Sequence, residues 1–149
     1  MTIDYLVEVI GEKSNPPSQT AISELEALIG GELPADYLDF LRRSNGGVAP
    51  PNIVETANDF VLDWILGIRP EEYLSIAEHH TDLKDILPNY VIPIIADPFG
   101  NYVCLNIKNE NRGVTYFYDH EHTDDDLKKI SDSFTQFVSL LNIVAPENA

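Results

Sequence analysis

The side chains able to do chemistry are few: one cysteine, Cys104, four histidines, and one dense polar run, Asp119-His120-Glu121-His122-Thr123-Asp124-Asp125-Asp126. Carboxylates and imidazoles ligate many metal ions. The calcium-loop pattern, however, needs glycine at its sixth place, and counting from Asp119 that place is Asp124. No metal is assigned to the run. It reads either as a solvated acidic turn leading to the last helix, as like-charge runs usually are, or as an acidic landing patch for a basic partner. A thiol nucleophile would need an imidazole and an orienting group, and Cys104 lies mid-strand, where a packed thiol is the ordinary outcome. His79 and His80 are explained by the carbonyl end of a helix. Gly46-Gly47 also close a helix, whereas phosphate sites use amides at a helix beginning. The chain reads as no enzyme and without cofactors.

Charge is the strongest compositional signal. Twenty-five acidic residues against nine basic give a formal net charge of −16 over 149 residues. Such a field repels nucleic-acid phosphates and anionic headgroups, whose binding requires clusters of Lys and Arg. It serves solubility, or it speeds encounter with a cationic protein partner. The longest apolar runs, such as Val91 to Ala96, fall far short of the ~20 residues that cross a bilayer. The opening Met1-Thr2-Ile3-Asp4 lacks the basic head of a signal peptide, so a cytoplasmic location is expected. A single cysteine excludes an internal disulfide. The length suits one domain, with a core over about residues 18–142.

The elements that must carry these side chains follow from periodicity. Ile3, Tyr5, Val7 and Val9 alternate, which predicts a strand. After the polar Asn15-Pro16-Pro17-Ser18, a helix capped by Ser18 or Thr20 carries Ile22, Leu25, Leu28 and Ile29 and stops at Gly30-Gly31. A second helix follows, with Pro34 at its first position, Asp36 at the positive end of the dipole and a stripe of Tyr37, Leu38, Phe40 and Leu41. Asp39 can pair with Arg43, and Asn45-Gly46-Gly47 ends the helix. The two helices should pack as a hairpin.

Residues 48–58 read as a loop, Phe60 to Ile68 as a strand, and Arg69-Pro70-Glu71-Glu72 as the start of a helix that ends at His79-His80. Val91 to Ala96, Tyr102 to Ile107 and Val114 to Tyr118 predict an antiparallel meander. Pro93 calls for an edge, a bulge or a late start. In the middle strand Val103, Leu105 and Ile107 face the core, and Tyr102, Cys104 and Asn106 a mixed face. A last helix over about Ser131 to Asn142 carries Phe134, Phe137, Val138 and Leu141, and Pro146 lies in a frayed end. The fold class is α+β, a single domain in which an antiparallel meander packs against the N-terminal helical hairpin and the C-terminal helix.

Several of these residues together resemble the SMI1/KNR4 family, also called the SUKH superfamily. They are Ile22-x-x-Leu25-Glu26, Leu33-Pro34-x-Asp36-Tyr37-x-x-Phe40-Leu41, Asn45-Gly46-Gly47, Ile92-Pro93-Ile94, Asp97-x-x-Gly100-Asn101-Tyr102-x-Cys104-Leu105, Val114-x-Tyr116, Asp119-His120-Glu121 and Ser133-Phe134-x-x-Phe137. Phe99 stands where such proteins often have glycine, and Asn106 where an aspartate is common. The resemblance implies a single α+β domain that binds other proteins. Bacterial members are typically immunity proteins against polymorphic or contact-dependent toxins, often nucleases or deaminases. A fungal branch regulates cell-wall assembly and carries long disordered extensions. Compactness and acidity favour the bacterial reading, with a basic toxin domain as partner and occlusion by acidic side chains as the mechanism.

Binding surfaces of this kind diversify, so interface residues are chosen here as exposed acids and one aromatic. They are Asp59, Asp63, Trp64, Glu71, Glu72, Asp119, Glu121, Asp124, Asp125 and Asp126. Trp64 beside Asp63 has the chemistry of an interface hot spot, although a tryptophan among apolar neighbours also suits a core.

Overall fold

Tertiary packing overrides local alternation at the very start of the chain. In the computed structural model, which describes residues 1–121 and 127–144, Ile3–Val9 is a helix, α1, and not a strand. Thr2 accepts from the Tyr5 amide at 3.1 Å and caps it. The alternation concealed a second period, because Ile3, Leu6, Val7 and Ile10 also recur at helical spacing. Leu6 and Ile10 are buried, while Tyr5 is exposed.

Two helices follow. Helix α2, Gln19–Ile29, is capped by Ser18, whose hydroxyl accepts from the Ala21 amide, and ends at Gly30 in the left-handed conformation. Helix α3, Ala35–Ser44, starts one residue later than expected, with Pro34 just outside it, and ends at Asn45, also left-handed. The end of α3 returns to the start of α2, where Arg42 donates to Gln19 at 3.2 Å, but α2 packs mainly on α4 and α3 on α1 and α5, so the two do not form the closely packed hairpin expected. Asp39 lies 3.7 Å from Arg43, which also pairs with Asp4 of α1 at 2.8 Å. Leu28 departs from its expected face and is 53% exposed.

The expected loop and strand over residues 48–68 resolve into four short pieces. Strand β1, Gly47–Val48, and β4, Trp64–Ile65, pair antiparallel in the main sheet. Strands β2, Ile53–Glu55, and β3, Phe60–Val61, form a separate hairpin. The single strand expected from Phe60 to Ile68 is therefore broken at Leu62-Asp63, where the chain passes from one sheet to the other. Pro70 does not open a helix. A 3-10 turn over Glu72–Leu74 comes first, and α4, Ile76–Leu83, begins where Ser75 accepts from the Glu78 amide. Helix α4 thus runs three residues beyond His80, which lies in its last turn.

The meander is as expected: β5, Val91–Ala96, β6, Tyr102–Asn106, and β7, Thr115–Tyr118, pair antiparallel in sequence. The β5–β6 register shifts between Pro93 and Ile95, so the missing amide donor of Pro93 sits at a bulge. Two strands escaped the sequence reading. β8, Lys128–Ser131, adds to β7, and β9, Leu141–Ile143, pairs with β2. The last helix, α5, Phe134–Ser139, is correspondingly shorter, with Ser133 as its cap. The main sheet runs β1-β4-β5-β6-β7-β8 and the small one β3-β2-β9. Pro146 lies outside the described residues.

Val103, Leu105 and Ile107 face the principal core, where Tyr37, Phe40 and Phe134 join α3 to α5 with ring centroids 4.9 to 6.3 Å apart. Cys104 faces a second, smaller cluster with Leu83, Leu87 and Val91, flanked by Tyr90, Tyr102, Tyr116 and Tyr118. The Tyr37 hydroxyl is buried with no hydrogen-bond partner among the described residues.

Asn45 joins the helical layer to the sheet. Its side-chain amide donates to the Asn15 and Ile68 carbonyls at 3.0 and 3.1 Å and its oxygen accepts from the Ile68 amide at 2.8 Å. Arg69 donates to the Asn45 and Glu12 carbonyls. Gly47, at φ 138°, lies so close to Gly11 that a Cβ would stand 2.4 Å from its carbonyl oxygen. Replacing Asn45 with Ala forfeits three buried hydrogen bonds and a residue tolerant of positive φ, so urea unfolding should show a loss of about 3 kcal/mol. Tyr37→Phe removes an unsatisfied hydroxyl from a well-packed site, and the same measurement should show a gain of about 1 kcal/mol.

Candidate functional site

The acidic residues named above fall into separate environments, and one of these is a cleft. Asp59 and Asp63 line a cavity of about 350 Å³ together with Val61, Asp97, Phe99 and Asn101. Each wall has a local cause. Glu55, itself buried, accepts from the Ala57 and Asn58 amides and from the Asn58 side chain, which folds residues 56–58 into a 3-10 turn. Asp59 then takes a left-handed conformation, φ 54°, which a short polar side chain tolerates, and the chain returns as β3.

The opposite wall is the β5–β6 turn. Asp97 Oδ1 accepts from the Phe99 and Asn101 amides, both at 2.9 Å, and Oδ2 from the Asn101 side chain at 3.0 Å. Gly100, at φ 90°, completes the turn. Asp97 is thereby buried, whereas Phe99 is held out at 71% exposure. An aromatic ring fixed in solvent by a fully bonded turn is unusual, since such surface is ordinarily removed from water.

Strand register then brings two of the carboxylates face to face. Trp64 pairs with Ala96 across β4 and β5, and one step beyond the ladder Asp63 stands opposite Asp97. Like charges in that position repel. Burial first, and the charge of Asp97 second, raise the Asp63 carboxyl above the usual aspartate range. The cleft therefore combines unneutralised negative charge with apolar side chains, the chemistry that receives a lysine or arginine through its charge and its stem together.

Other candidates lie nearby or elsewhere. His120 donates its backbone amide to Asn101 Oδ1 at 3.2 Å, and its Nδ1 lies 2.9 Å from the same oxygen. The turn bearing Asp119 and Glu121 thus abuts the cleft, with Asp119 accepting from the Glu121 amide at 3.0 Å. Asp124, Asp125 and Asp126 lie outside the described residues. Trp64 is half-buried and meets Tyr73 edge-on, centroids 5.8 Å apart. Glu72 belongs to the same 3-10 turn as Tyr73. Glu71 is committed to Arg69, whose guanidinium hydrogen bonds hold its carboxyl below the usual range.

Asp97 and Phe99 were missing from the sequence-based choice, because Asp97-Pro98-Phe99-Gly100-Asn101 reads as turn formers. The available signal was Phe99 itself, an aromatic where glycine is common. Burial pushes the Cys104 thiol well up, so it stays protonated. His79 Nδ1 is engaged by the Tyr102 hydroxyl at 2.8 Å, and Nε2 donates to the Tyr73 carbonyl at 3.0 Å. Among the described residues no group of three metal-ligating side chains converges, and no helix is long and apolar enough to cross a membrane.

The sequence matches the SMI1 / KNR4 family (SUKH-1) over residues 16–140. A protein of the SPbeta prophage of Bacillus subtilis strain 168, uncharacterized and called YokK, is 30% identical, over 78% of this chain and 70% of its own length. The matched span runs from just before α2 to the end of α5 and takes in α2 and α3, the meander and the turns that build the cleft. On that evidence the chain belongs to the SMI1/KNR4 (SUKH-1) family.

Proposed function

We propose that this chain is a cytoplasmic immunity protein that neutralises a basic toxin domain, of nuclease or nucleic-acid deaminase type, by covering its active site. The observation that carries this reading is the pair Asp63 and Asp97, which line one cleft beside the exposed ring of Phe99 and are close enough for the charge of one to act on the other. Two carboxylates placed against one another are unfavourable in the free protein, and a cation inserted between them relieves the repulsion. Enzymes that act on nucleic acid present cations to the phosphates they bind. A surface that satisfies those cations competes directly with substrate. Family membership supports a protein-binding role. Phe99 supplies the apolar anchor that such an interface requires, and Asp59, Asp119 and Glu121 extend the acidic field around it.

Occlusion involves no bond making by the immunity protein. Its rate depends on steering by the whole field, and its lifetime on the few side chains that become fully desolvated. Substitution at the two kinds of position should therefore divide between association and dissociation.

Co-expression with the toxin domain encoded beside it, followed by pull-down and growth rescue, tests the assignment. Phe99→Ala should lower affinity at least about tenfold, mainly through faster dissociation. Association should slow as salt rises, and a rate indifferent to salt would remove the electrostatic mechanism. Asp63→Asn should slow association and flatten that salt dependence. The same substitution should raise the urea midpoint of the free protein at neutral pH. A carboxyl whose folded pKa is raised penalises the folded state above that pKa, so the gain should vanish once pH falls below the ordinary aspartate range.

A further inference from the structure

The nine basic residues are not spread evenly among the acids. Arg43, Arg112 and Lys129 pair with carboxylates, and Arg69 with Glu71. Lys13 donates to the Val7 and Ile10 carbonyls at the end of α1. Arg42 donates to Gln19, whereas Lys84, Lys108 and Lys128 make no hydrogen bond or ion pair among the described residues, and of these three Lys84 and Lys108 line a cavity. Both border one cavity of about 170 Å³, with His80 and Asn89 beside them and Leu87 and Val91 among its apolar walls. In a chain with 25 acidic residues, no Asp or Glu among the described residues lines this cavity.

The fold explains how the charges meet. Helix α4 ends at Leu83, and the Ile86 and Leu87 amides both donate to the Leu83 carbonyl, turning the chain toward Pro88. The Val91 amide donates to Pro88 and the Ile107 amide to Tyr90, so the end of β6 is drawn alongside and delivers Lys108. Lys108 also approaches Gly30, where α2 stops. The lysines thus stand near two helix ends, yet they bond no carbonyl there. Helix-end capping does not use their donors.

An unpaired ammonium over an apolar wall has one evident complement. We infer that the cavity binds a small aliphatic monocarboxylate, its carboxylate between Lys84 and Lys108 and its hydrocarbon chain against Leu87 and Val91. Charge complementarity selects the anion, since two ammonium groups and no carboxylate among the described residues line the cavity, although Asp82 and Asp85 flank Lys84 in the chain. The apolar walls select the stem, because a bare, strongly hydrated anion gains nothing from them. Asn89 offers a further donor and His80 a ring nitrogen. Burial first, and the charge of Lys84 second, lower the His80 pKa, so the imidazole is neutral at neutral pH and the two lysines carry the charge. This site is separate from the Asp63–Asp97 cleft and does not depend on its assignment.

Isothermal titration of the full chain with sodium hexanoate, at constant ionic strength, tests the inference, with hexanol and inorganic phosphate as comparison probes. Hexanoate should bind saturably at one site, at least tenfold more tightly than either. Lys84→Met with Lys108→Met should weaken it at least tenfold while leaving the thermal midpoint of the free protein unchanged, since the first side chain is exposed and the second half-buried. Amide chemical-shift changes centred on residues 80–91 and 108 should accompany binding. Equal binding of phosphate would show a generic cationic patch, equal binding of hexanol an apolar cavity indifferent to charge, and no saturable hexanoate binding no site at all. Each of these results overturns the inference.

Discussion

One side-chain amide holds the layers of this molecule together. Asn45 ends α3 and bonds to Asn15 and Ile68, three points far apart in sequence. With two donors and an acceptor all used in a buried setting, its geometry is nearly inflexible, because any displacement leaves a polar group without a partner. Around it Gly46, Gly47 and Gly67 leave no room for side chains, so backbone meets backbone directly. The consequence reaches the acidic cleft. Ile68 closely follows β4, and β4 fixes the register that sets Asp63 against Asp97. An amide in the interior thus bears on the placement of Asp63, which lines the cleft beside the buried Asp97.

Much of the architecture was legible in the sequence, for identifiable reasons. The meander announced itself because its strands are long enough to show alternation and its turns carry glycine and asparagine. Pro93 pointed to the bulge because a missing donor must be accommodated somewhere. The misreadings have physical causes too. α1 is seven residues long, too short for a helical period to beat an accidental alternation. The pieces β3, β4 and β9 are two or three residues each, below the length at which any period exists, and they are strands only because a neighbour offers a ladder. The residues from Arg69 to Ser75 hold both a proline and a serine suited to starting a helix. The serine prevails because Pro70 stands in the bend that follows Ile68, with Arg69 pinned to Asn45 and Glu12.

The acidic cleft was half legible. Charge alone indicated Asp59 and Asp63, but it could not separate them from Glu71, which an arginine neutralises. Nor could it reveal that Asp97, a turn former by sequence, faces Asp63 across the sheet. Phe99 shows the other limit of pattern reading. Composition treats an aromatic as core, and only the bonded turn beneath it shows that this ring is kept in water. The lysine-lined cavity was invisible for a similar reason, since Lys84 and Lys108 are twenty-four positions apart in the chain and come to border one cavity only through the turn after α4.

The outermost strand of the main sheet has its own significance. β8 carries Lys128 and Lys129, both exposed, at the end of a six-stranded sheet. A second molecule approaching edge to edge there would meet Lys128 and the Lys129–Asp132 ion pair along an otherwise adhesive row of backbone donors and acceptors. Charged side chains on an edge strand oppose such pairing. Charge on the outermost strand and a masked backbone edge are thus the same feature, seen once in sequence and once in the sheet.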